Sequence, residues 1–342
     1  MKIVTIGIDL GKNVFHLHGV NERGKVILKK KVSRSKLIET IVNIPSCLIG
    51  LEACSGAYYW AREFTKLGHT VRLMAPQFVK PYVKSNKNDY ADAEAICEAV
   101  TRPTMRFVAI KEVEQQDILS LHRIRERLIK QRTALGNEIR SLLHEYGIVI
   151  RQGFTHLRKS LAELSDTIDS QLTPTIKRLI ISLYEELNEL QQRIIKYEKQ
   201  IDGIYHQDER CQRLGSIPGV GKIIATAMVA SIGNARFFEN GRQLAAWIGL
   251  VPAQRSTGGK ATLLGISKRG DQYLRTLLIH GARSVLNYLK RRQIKTRQDQ
   301  WLEELSARRG KNRATVALAN KTARIIWVVL TKNQTYQPQL AS

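Results

Sequence analysis

The sequence predicts an α/β domain over residues 1–112, a coiled-coil helical domain over 113–205 and a mostly helical domain over 206–342. Three observations support this division. Short β-branched runs, which are typical of buried strands, alternate with helical stretches in the first region. Two long series of apolar residues at heptad spacing fill the second region. Glycine-rich turns separate helical stretches in the third.

The chain is strongly basic. Lys and Arg number 55 against 30 Asp and Glu, which gives a net charge of +25. Ion pairs within the protein cannot balance this excess, so we expect a polyanionic partner. A nucleic acid is favoured over an acidic membrane surface, because no apolar run approaches the ~18 residues of a membrane span. A merely basic soluble protein is the alternative.

The four cysteines are Cys47, Cys54, Cys97 and Cys211, and their spacing fits no zinc pattern. Nothing in the sequence indicates secretion. We therefore expect reduced, mostly buried thiols in a cytoplasmic, nucleoid-associated protein.

The first strand carries the residue around which the domain is organised. Residues 3–12 are apolar on both sides of the pleat, which predicts a strand buried on both faces at the centre of a sheet. Asp9, near its end, would be desolvated and needs a partner, for which a divalent cation is suitable. Gly7 and Gly11 would let another backbone or a phosphate come close. Lys12 is a candidate nucleic-acid contact.

The rest of the domain continues the alternation. The predicted elements are strands over 14–20 and 25–31, a helix over 35–44, a strand over 47–52, a helix over 56–67 and a strand over 71–74. The first three strands form an antiparallel meander. Glu52 ends a second buried strand. Asp89 and Asp92 lie near the start of a further helix, three residues apart and therefore on one face.

This succession resembles the ribonuclease H-like (RNase H-like) fold in its Holliday-junction-resolvase (RuvC-like) variety, in which carboxylates from such elements converge. Four carboxylates suit a two-metal Mg²⁺ site at a phosphodiester. Taken singly, each acid has a more ordinary explanation. Asp9 also fits the phosphate loop of an actin-like or sugar-kinase ATPase, Glu52 a strand end, and Asp89 and Asp92 the first turn of a helix.

The middle region predicts two long helices. Residues 114–146 place leucines at seven-residue intervals, with Arg125 and Arg132 at intervening positions and Gly147 as a stop. Thr173 and Pro174 open a second helix, with an unbroken apolar series from 176 to 201. These helices pair either as an antiparallel hairpin within one chain or between chains, so the arm builds an oligomer or acts as a spacer.

A glycine turn opens the third region. Gly219 and Gly221 separate two helical stretches, as in a helix-hairpin-helix element, whose backbone N–H groups hold a phosphate. The alternative is an ordinary turn between helices.

Ser256 lies farther on, in a glycine-flanked and cation-rich loop. Arg255, Lys260, Lys268 and Arg269 could neutralise a phosphate there or favour ionisation of the hydroxyl. By spacing alone, a serine in a glycine-rich loop is more often a turn residue.

Taken whole, the chain resembles transposases of the one-ten family of bacterial insertion sequences, in the subgroup that includes the Piv-type DNA invertases. The motifs that match in order are the N-terminal acids, the coiled-coil middle, Pro218-Gly219-Val220-Gly221, Ser256-Thr257-Gly258-Gly259 and Ile266-Ser267-Lys268-Arg269-Gly270.

The resemblance implies a catalytic set of Asp9, Glu52, Asp89 and Asp92 as metal ligands and Ser256 as nucleophile, with Thr257 as the local rival. It also implies a DNA recombinase guided by a structured bridge RNA, with Mg²⁺ as cofactor. The expected partners are donor and target DNA, the guide RNA and further copies of the chain in a dimer or tetramer, without a membrane.

Three rival functions stay open. The first is a metal-dependent Holliday-junction-type endonuclease, in which water attacks and the C-terminal domain only binds DNA. The second is a site-specific DNA invertase. The third is a non-enzymatic scaffold that binds RNA or DNA.

Overall fold

A computed structural model describes residues 2–84, 88–167, 172–289, 291 and 296–340. The chain forms two compact units, Met1–Val113 and Glu114–Ser342. The first contains a sheet with helices and the second is mostly helical, so the mixed α/β and α class is confirmed.

In its described residues, the first unit has six strands and four short or medium α-helices. The strands are β1 Thr5–Leu10, β2 Val14–Val20, β3 Val26–Ser33, β4 Leu48–Glu52, β5 Thr70–Met74 and β6 Phe107–Val108. The helices are α1 Leu37–Val42, α2 Ala57–Lys66, α3 Pro76–Val79 and α4 Asp89–Val100.

The strands form one mixed sheet in the order β3-β2-β1-β4-β5-β6. The predicted meander is confirmed, because β1, β2 and β3 are antiparallel neighbours. The strands β1, β4 and β5 are parallel to one another. This arrangement fits the ribonuclease H-like fold and places β1 inside the sheet.

Both faces of β1 are covered, as its sequence predicts. Ile6 and Ile8 are fully buried on one face. On the other face, a Cβ at Gly7 would lie only 2.2 Å from the backbone oxygen of Ala93 in α4. Side chains alternate along a strand, so Thr5, Gly7 and Asp9 all face α4.

The second unit contains nine described helices and one hairpin. The helices are α5 Val113–His144, α6 Phe154–Thr167, α7 Pro174–Gln207, α8 Glu209–Gly215, α9 Lys222–Ile232, α10 Gly241–Trp247, α11 Gln272–Leu289, α12 Arg297–Arg309 and α13 Lys311–Lys332. The hairpin strands are β7 Pro252–Thr257 and β8 Lys260–Ile266.

The two long helices associate within one chain. Arg125 of α5 donates to Glu198 of α7 at 2.6 Å, and Arg132 donates to Gln191 at 2.6 Å. The contact position seven residues later in α5 therefore has its partner seven residues earlier in α7, as antiparallel helices require. Apolar residues of α5, α6 and α7 share one core, which includes Leu128, Leu135, Leu157, Ile180, Leu187 and Ile194. Supercoiling and pairing between chains stay predictions.

The remaining helices share one hydrophobic core with α9, which is buried along nearly its whole length. Leu278 of α11 and Leu318 and Ile326 of α13 belong to this core. Among the described residues, no helix is long and apolar enough to span a membrane.

Candidate active site

The first two acids lie side by side at one edge of the sheet. Parallel strands β1 and β4 pair Ile8 with Leu51, so the next residues, Asp9 and Glu52, are at equal heights. Both side chains are half-buried. Gly50 faces Val100 of α4, and alternation places Glu52 on that same face. The sheet therefore presents both carboxylates toward α4.

Glycines set the distance between α4 and the sheet. A Cβ at Gly7 would lie 2.2 Å from the oxygen of Ala93 and 2.3 Å from the nitrogen of Cys97. A Cβ at Gly50 would lie 2.8 Å from Cβ of Val100. The helix therefore contacts the strand backbones directly. Of the two close approaches predicted for Gly7 and Gly11, the first brings α4 onto β1, and the second is made by the oxygen of Val14.

The first turn of α4 supplies the other two acids. Asn88 caps the helix by accepting a hydrogen bond from the backbone N–H of Tyr90. Asp89 is exposed and Asp92 is half-buried. Asp9, Asp89 and Asp92 each offer a carboxylate oxygen, and these oxygens lie within 4.8 Å of one another. We call these three residues the acidic cluster.

Glu52 is not a member of the acidic cluster within the described part of the chain. The charges of Glu52 and Asp9 nevertheless act on the same group, the thiol of Cys54. Although Cys54 is exposed, partial desolvation of its thiol, assisted by the charges of Glu52 and Asp9, raises the pKa of that thiol. The structure thus brings three of the four predicted ligands together and puts the fourth on the neighbouring strand.

The acidic cluster fits a divalent cation by the chemistry of its donors. Three carboxylates at this spacing repel one another unless a positive charge lies between them. Carboxylate oxygens are the ligands that hard cations such as Mg²⁺ and Ca²⁺ prefer. Asp9 and Asp92 are also half-buried, which makes the repulsion costlier than in open water.

His16 belongs to this neighbourhood and was not predicted. It is buried on β2, opposite Asp9 in the β1–β2 ladder, and its Nδ1 lies 3.7 Å from a carboxylate oxygen of Asp89. The ring also meets Tyr90 edge-on, at 4.6 Å between centroids. The predicted meander could have identified His16, because the short turn between β1 and β2 pairs it with Asp9.

Among the described residues, no cysteine belongs to a group of three or more side chains that could hold a metal ion. All four thiols are free, and only Cys54 is exposed. Burial raises the pKa of Cys47 and Cys97 to about 11 and that of Cys211 to about 12. These three thiols are therefore protonated at neutral pH.

Ser256 lies in a strand, and its prediction as a loop residue was wrong. The residue belongs to β7 and pairs with Ala261 of β8. The turn of the hairpin is Gly258-Gly259, with φ of 57° and 77°, a conformation that suits glycine. The sequence misled because every residue from 254 to 265 is exposed, so no alternation of apolar and polar residues marks the strands.

Alternation along β7 separates Ser256 from its neighbours. Gln254 lies two residues away on the same face, and its amide donates to Oγ of Ser256 at 2.7 Å. Arg255 and Thr257 point to the opposite face, together with Lys260, which pairs with Thr257. The hydroxyl of Ser256 therefore contacts a neutral amide. The predicted cations Arg255 and Lys260 point to the opposite face of the hairpin.

Lys268 and Arg269 lie in an exposed segment that contacts the end of α10. The backbone N–H of Lys268 donates to the oxygen of Gly249, and a Cβ at Gly249 would overlap the backbone of Arg269. Lys268 has a φ of 55°, which is uncommon for a side chain other than glycine. The backbone therefore holds the base of each side chain in place, while the charged ends reach solvent.

The remaining predicted nucleic-acid contacts are Lys12, Gly219 and Gly221. Lys12 and Gly221 are exposed, and Gly221 caps α9. Gly219 has a packing role: with φ of 82°, it lies against the backbone of Gly281 in α11, where a Cβ would come within 2.7 Å. The predicted phosphate contact at this turn thus falls to Gly221 and the exposed start of α9.

Comparison with known proteins gives two family matches. A model described as "Transposase IS116/IS110/IS902 family" matches residues 211–298. A second, described as "Transposase" and named for the DEDD transposases of IS110, matches residues 6–148. The second match spans the whole acidic cluster.

Full-length relatives give the same result. A Pseudomonas aeruginosa protein named "Probable family 20 transposase" is 48% identical and aligns with 99% of this chain and 100% of its own length. The transposase for insertion sequence element IS1111A of Coxiella burnetii is also 48% identical, over 98% of this chain and 92% of the relative. The transposase for insertion sequence element IS1328 of Yersinia enterocolitica is 41% identical, over 98% of each. The chain therefore belongs to the IS110 family of insertion-sequence transposases, which bind, cut and transfer DNA strands with a divalent metal.

Proposed function

We propose that this transposase is a serine recombinase, in which Ser256 attacks DNA and four carboxylates hold Mg²⁺. The observation that carries the metal half is the acidic cluster, with three carboxylates from two elements within 4.8 Å. The serine half is supported by an exposed hydroxyl at the tip of a hairpin, held by Gln254. Its assignment as nucleophile rests on the family resemblance.

Each acid has a defined place in this proposal. Asp9, Asp89 and Asp92 would hold Mg²⁺ directly, and Glu52 would supply a further ligand from the adjacent strand. Bound Mg²⁺ stabilises the negative charge that develops at a phosphodiester under attack. Gly7 keeps α4 on β1, so that the ligands stay within reach of one cation.

The covalent step exchanges one ester bond for another. Oγ of Ser256 attacks the phosphorus and the bond from phosphorus to the 3′ oxygen breaks. The products are a 5′-phosphoserine link and a free 3′-hydroxyl, which takes the proton that the serine loses. The 3′-hydroxyl of another strand then attacks the phosphoserine and releases Ser256. Bond energy is conserved, so no nucleotide cofactor is needed.

The proposal extends to partners and organisation. A structured guide RNA pairs with donor and target DNA, while the protein reads backbone and shape. The net charge of +25 suits two polyanionic partners at once. The chain has three functional regions: 1–112 carries the acids, 113–205 the coiled coil and 206–342 the serine. The α5–α7 arm forms a coiled coil that builds a dimer or tetramer, in which Ser256 of one subunit acts beside the acids of another.

The turn between α8 and α9 acts as a helix-hairpin-helix element in this scheme, with Gly221 and the start of α9 at a phosphate. Lys12, Arg255, Lys260, Lys268 and Arg269 contact the nucleic acid backbone. All five side chains are exposed.

The substitution Ser256→Ala tests the nucleophile. We expect it to abolish the covalent protein–DNA adduct and strand transfer while leaving DNA binding unchanged. The matched control is Thr257→Ala, which removes a hydroxyl from the opposite face of β7 and should keep the adduct. The readout is a denaturing gel with end-labelled DNA. Continued strand cleavage by Ser256→Ala would instead establish the endonuclease, in which water attacks.

A further inference from the structure

The second unit contains a large groove, and none of its lining residues has been given a functional role above. Its volume is about 2200 Å³, and it is lined by α13, the end of β8 and residues 333–337. We call it the α13 groove. Neither the metal site nor the serine mechanism uses it.

The α13 groove is positively charged. Its described lining includes five cations and neither Asp nor Glu; the cations are Arg213, Arg242, Arg313, Lys321 and Arg324. Arg213 pairs with Glu209, at 3.1 Å. The other four form no ion pair with a described carboxylate. Four unneutralised cations along one cleft attract a polyanion.

The groove also offers aromatic and apolar surface. Nζ of Lys321 lies over the ring of Trp301, 4.6 Å from its centroid. Leu263 and Leu264 of β8 are 67% and 45% exposed, and Val328 of α13 is 39% exposed. Duplex DNA hides its bases and would leave this surface in water. A single strand can place bases on it while its phosphates meet the cations.

The hairpin connects the groove with Ser256. Leu263 lines the groove and pairs across the hairpin with Gln254, whose amide binds Ser256. Paired residues in an antiparallel ladder share a face, so Leu263 and Ser256 lie on the same face of the hairpin.

We propose that the α13 groove binds a single-stranded segment of nucleic acid, with phosphates on Arg242, Arg313, Lys321 and Arg324 and bases on the apolar surface. The binding itself does not depend on the serine chemistry. That the strand leads to Ser256 rests on the proposed function.

The test is equilibrium binding by the full-length parent chain without divalent metal, which measures affinity alone and so does not depend on whether Ser256 is the nucleophile. The probes are labelled oligothymidylate, oligouridylate and a DNA duplex of equal length, about 20 nucleotides, over a range of salt. In the test variant, Arg242, Arg313 and Arg324, which are all exposed, become Gln. The control variant changes Arg193, Lys196 and Lys199, exposed on α7, to Gln. Both variants lose three positive charges.

We expect the groove variant to bind single strands about 100-fold more weakly near 0.1 M salt. Its slope of log affinity against log salt should be shallower by about 2, because each lost phosphate contact removes about 0.7. The control variant should match its parent. Preference for oligothymidylate would assign a DNA strand to the groove, and preference for oligouridylate would assign the guide RNA.

A second variant tests the apolar surface, with Leu263→Ser and Leu264→Ser at exposed positions that the fold does not need. It should weaken single-strand binding several-fold and leave duplex binding unchanged. The proposal is overturned if the groove and control variants bind alike. The proposal is also overturned if the parent shows no preference for single strands over the duplex and the Leu263→Ser, Leu264→Ser variant binds single strands as tightly as the parent.

Discussion

At the scale of single residues, the site depends on small side chains as much as on acids. Asp9 and Asp92 are on different elements and come within one cation's reach only because Gly7 has no Cβ. The sequence predicted the acids and a close approach at Gly7. It did not show that α4 would make that approach, because the pairing of a helix with a strand face depends on contacts distant in sequence.

Replacing Gly7 by Ala tests this packing. The added methyl would overlap the backbone of α4, which cannot yield as a flexible side chain can. We expect the first unit to lose about 3 kcal/mol of unfolding free energy, together with its divalent-metal affinity. Calorimetry and Mn²⁺ titration measure the two effects.

The control is Gly203→Ala near the C-terminal end of α7, where a Cβ meets nothing within 4 Å. It should stabilise the second unit by roughly 0.5–1 kcal/mol and leave metal binding unchanged. Normal Mn²⁺ affinity in Gly7→Ala would show that α4 does not have to touch β1.

The buried His122 predicts a pH dependence. Its ring nitrogens lie 3.0 Å from the hydroxyls of Thr226 and Tyr273, and burial lowers its pKa to about 4. The unfolded chain binds a proton near pH 6.5, whereas the native state resists one until about pH 4. The second unit should therefore lose stability as pH falls through this window, by about 3 kcal/mol from this group.

The comparison is between parent and His122→Gln, both carrying Trp60→Phe so that the remaining tryptophans, all in the second unit, report unfolding in urea. The stability difference should shrink toward pH 4, because the variant has no group to titrate there. A difference that stays constant from pH 7 to 4 would contradict the assigned pKa.

At the scale of elements, the sequence was informative wherever a buried face gives the apolar residues a regular spacing. The strands β1 to β5, the helices α5 and α7 and their ends near Gly147 and Thr173 were predicted correctly, whereas the two-residue strand β6 was not predicted. Helices α6 and α12 were not predicted, because both are mostly polar. The exposed hairpin was missed for the same physical reason, since it carries no buried face.

The antiparallel register of α5 and α7 predicts a coupled pair. Arg125, 16% exposed, donates two hydrogen bonds to one carboxylate oxygen of Glu198. A double-mutant cycle with Arg125→Met and Glu198→Gln should show about 1 kcal/mol of coupling in urea unfolding. The same cycle for Arg125 with Glu185, which is exposed on α7, should show almost none. Equal coupling in both cycles would contradict this register.

At the scale of the whole molecule, the proposed function requires a basic chain of two units to bring the acids and Ser256 to one DNA linkage. The charge and the family motifs indicated nucleic acid from the sequence alone. In the proposed function, the acids and Ser256 meet only when the protein assembles with DNA and RNA, so no apolar periodicity or motif within one chain could show how they meet. The proposed function depends on both groups acting on the same phosphodiester bond.

The most direct measurement is peptide mapping of the DNA adduct by mass spectrometry, with and without divalent metal, in the parent and in Asp92→Asn. We expect a 5′-nucleotide phosphate on Ser256 in the parent with Mg²⁺, and its loss both on chelation and in Asp92→Asn. An adduct on another residue would contradict this expectation. So would an adduct on Ser256 that forms equally well without metal and without the carboxylate of Asp92.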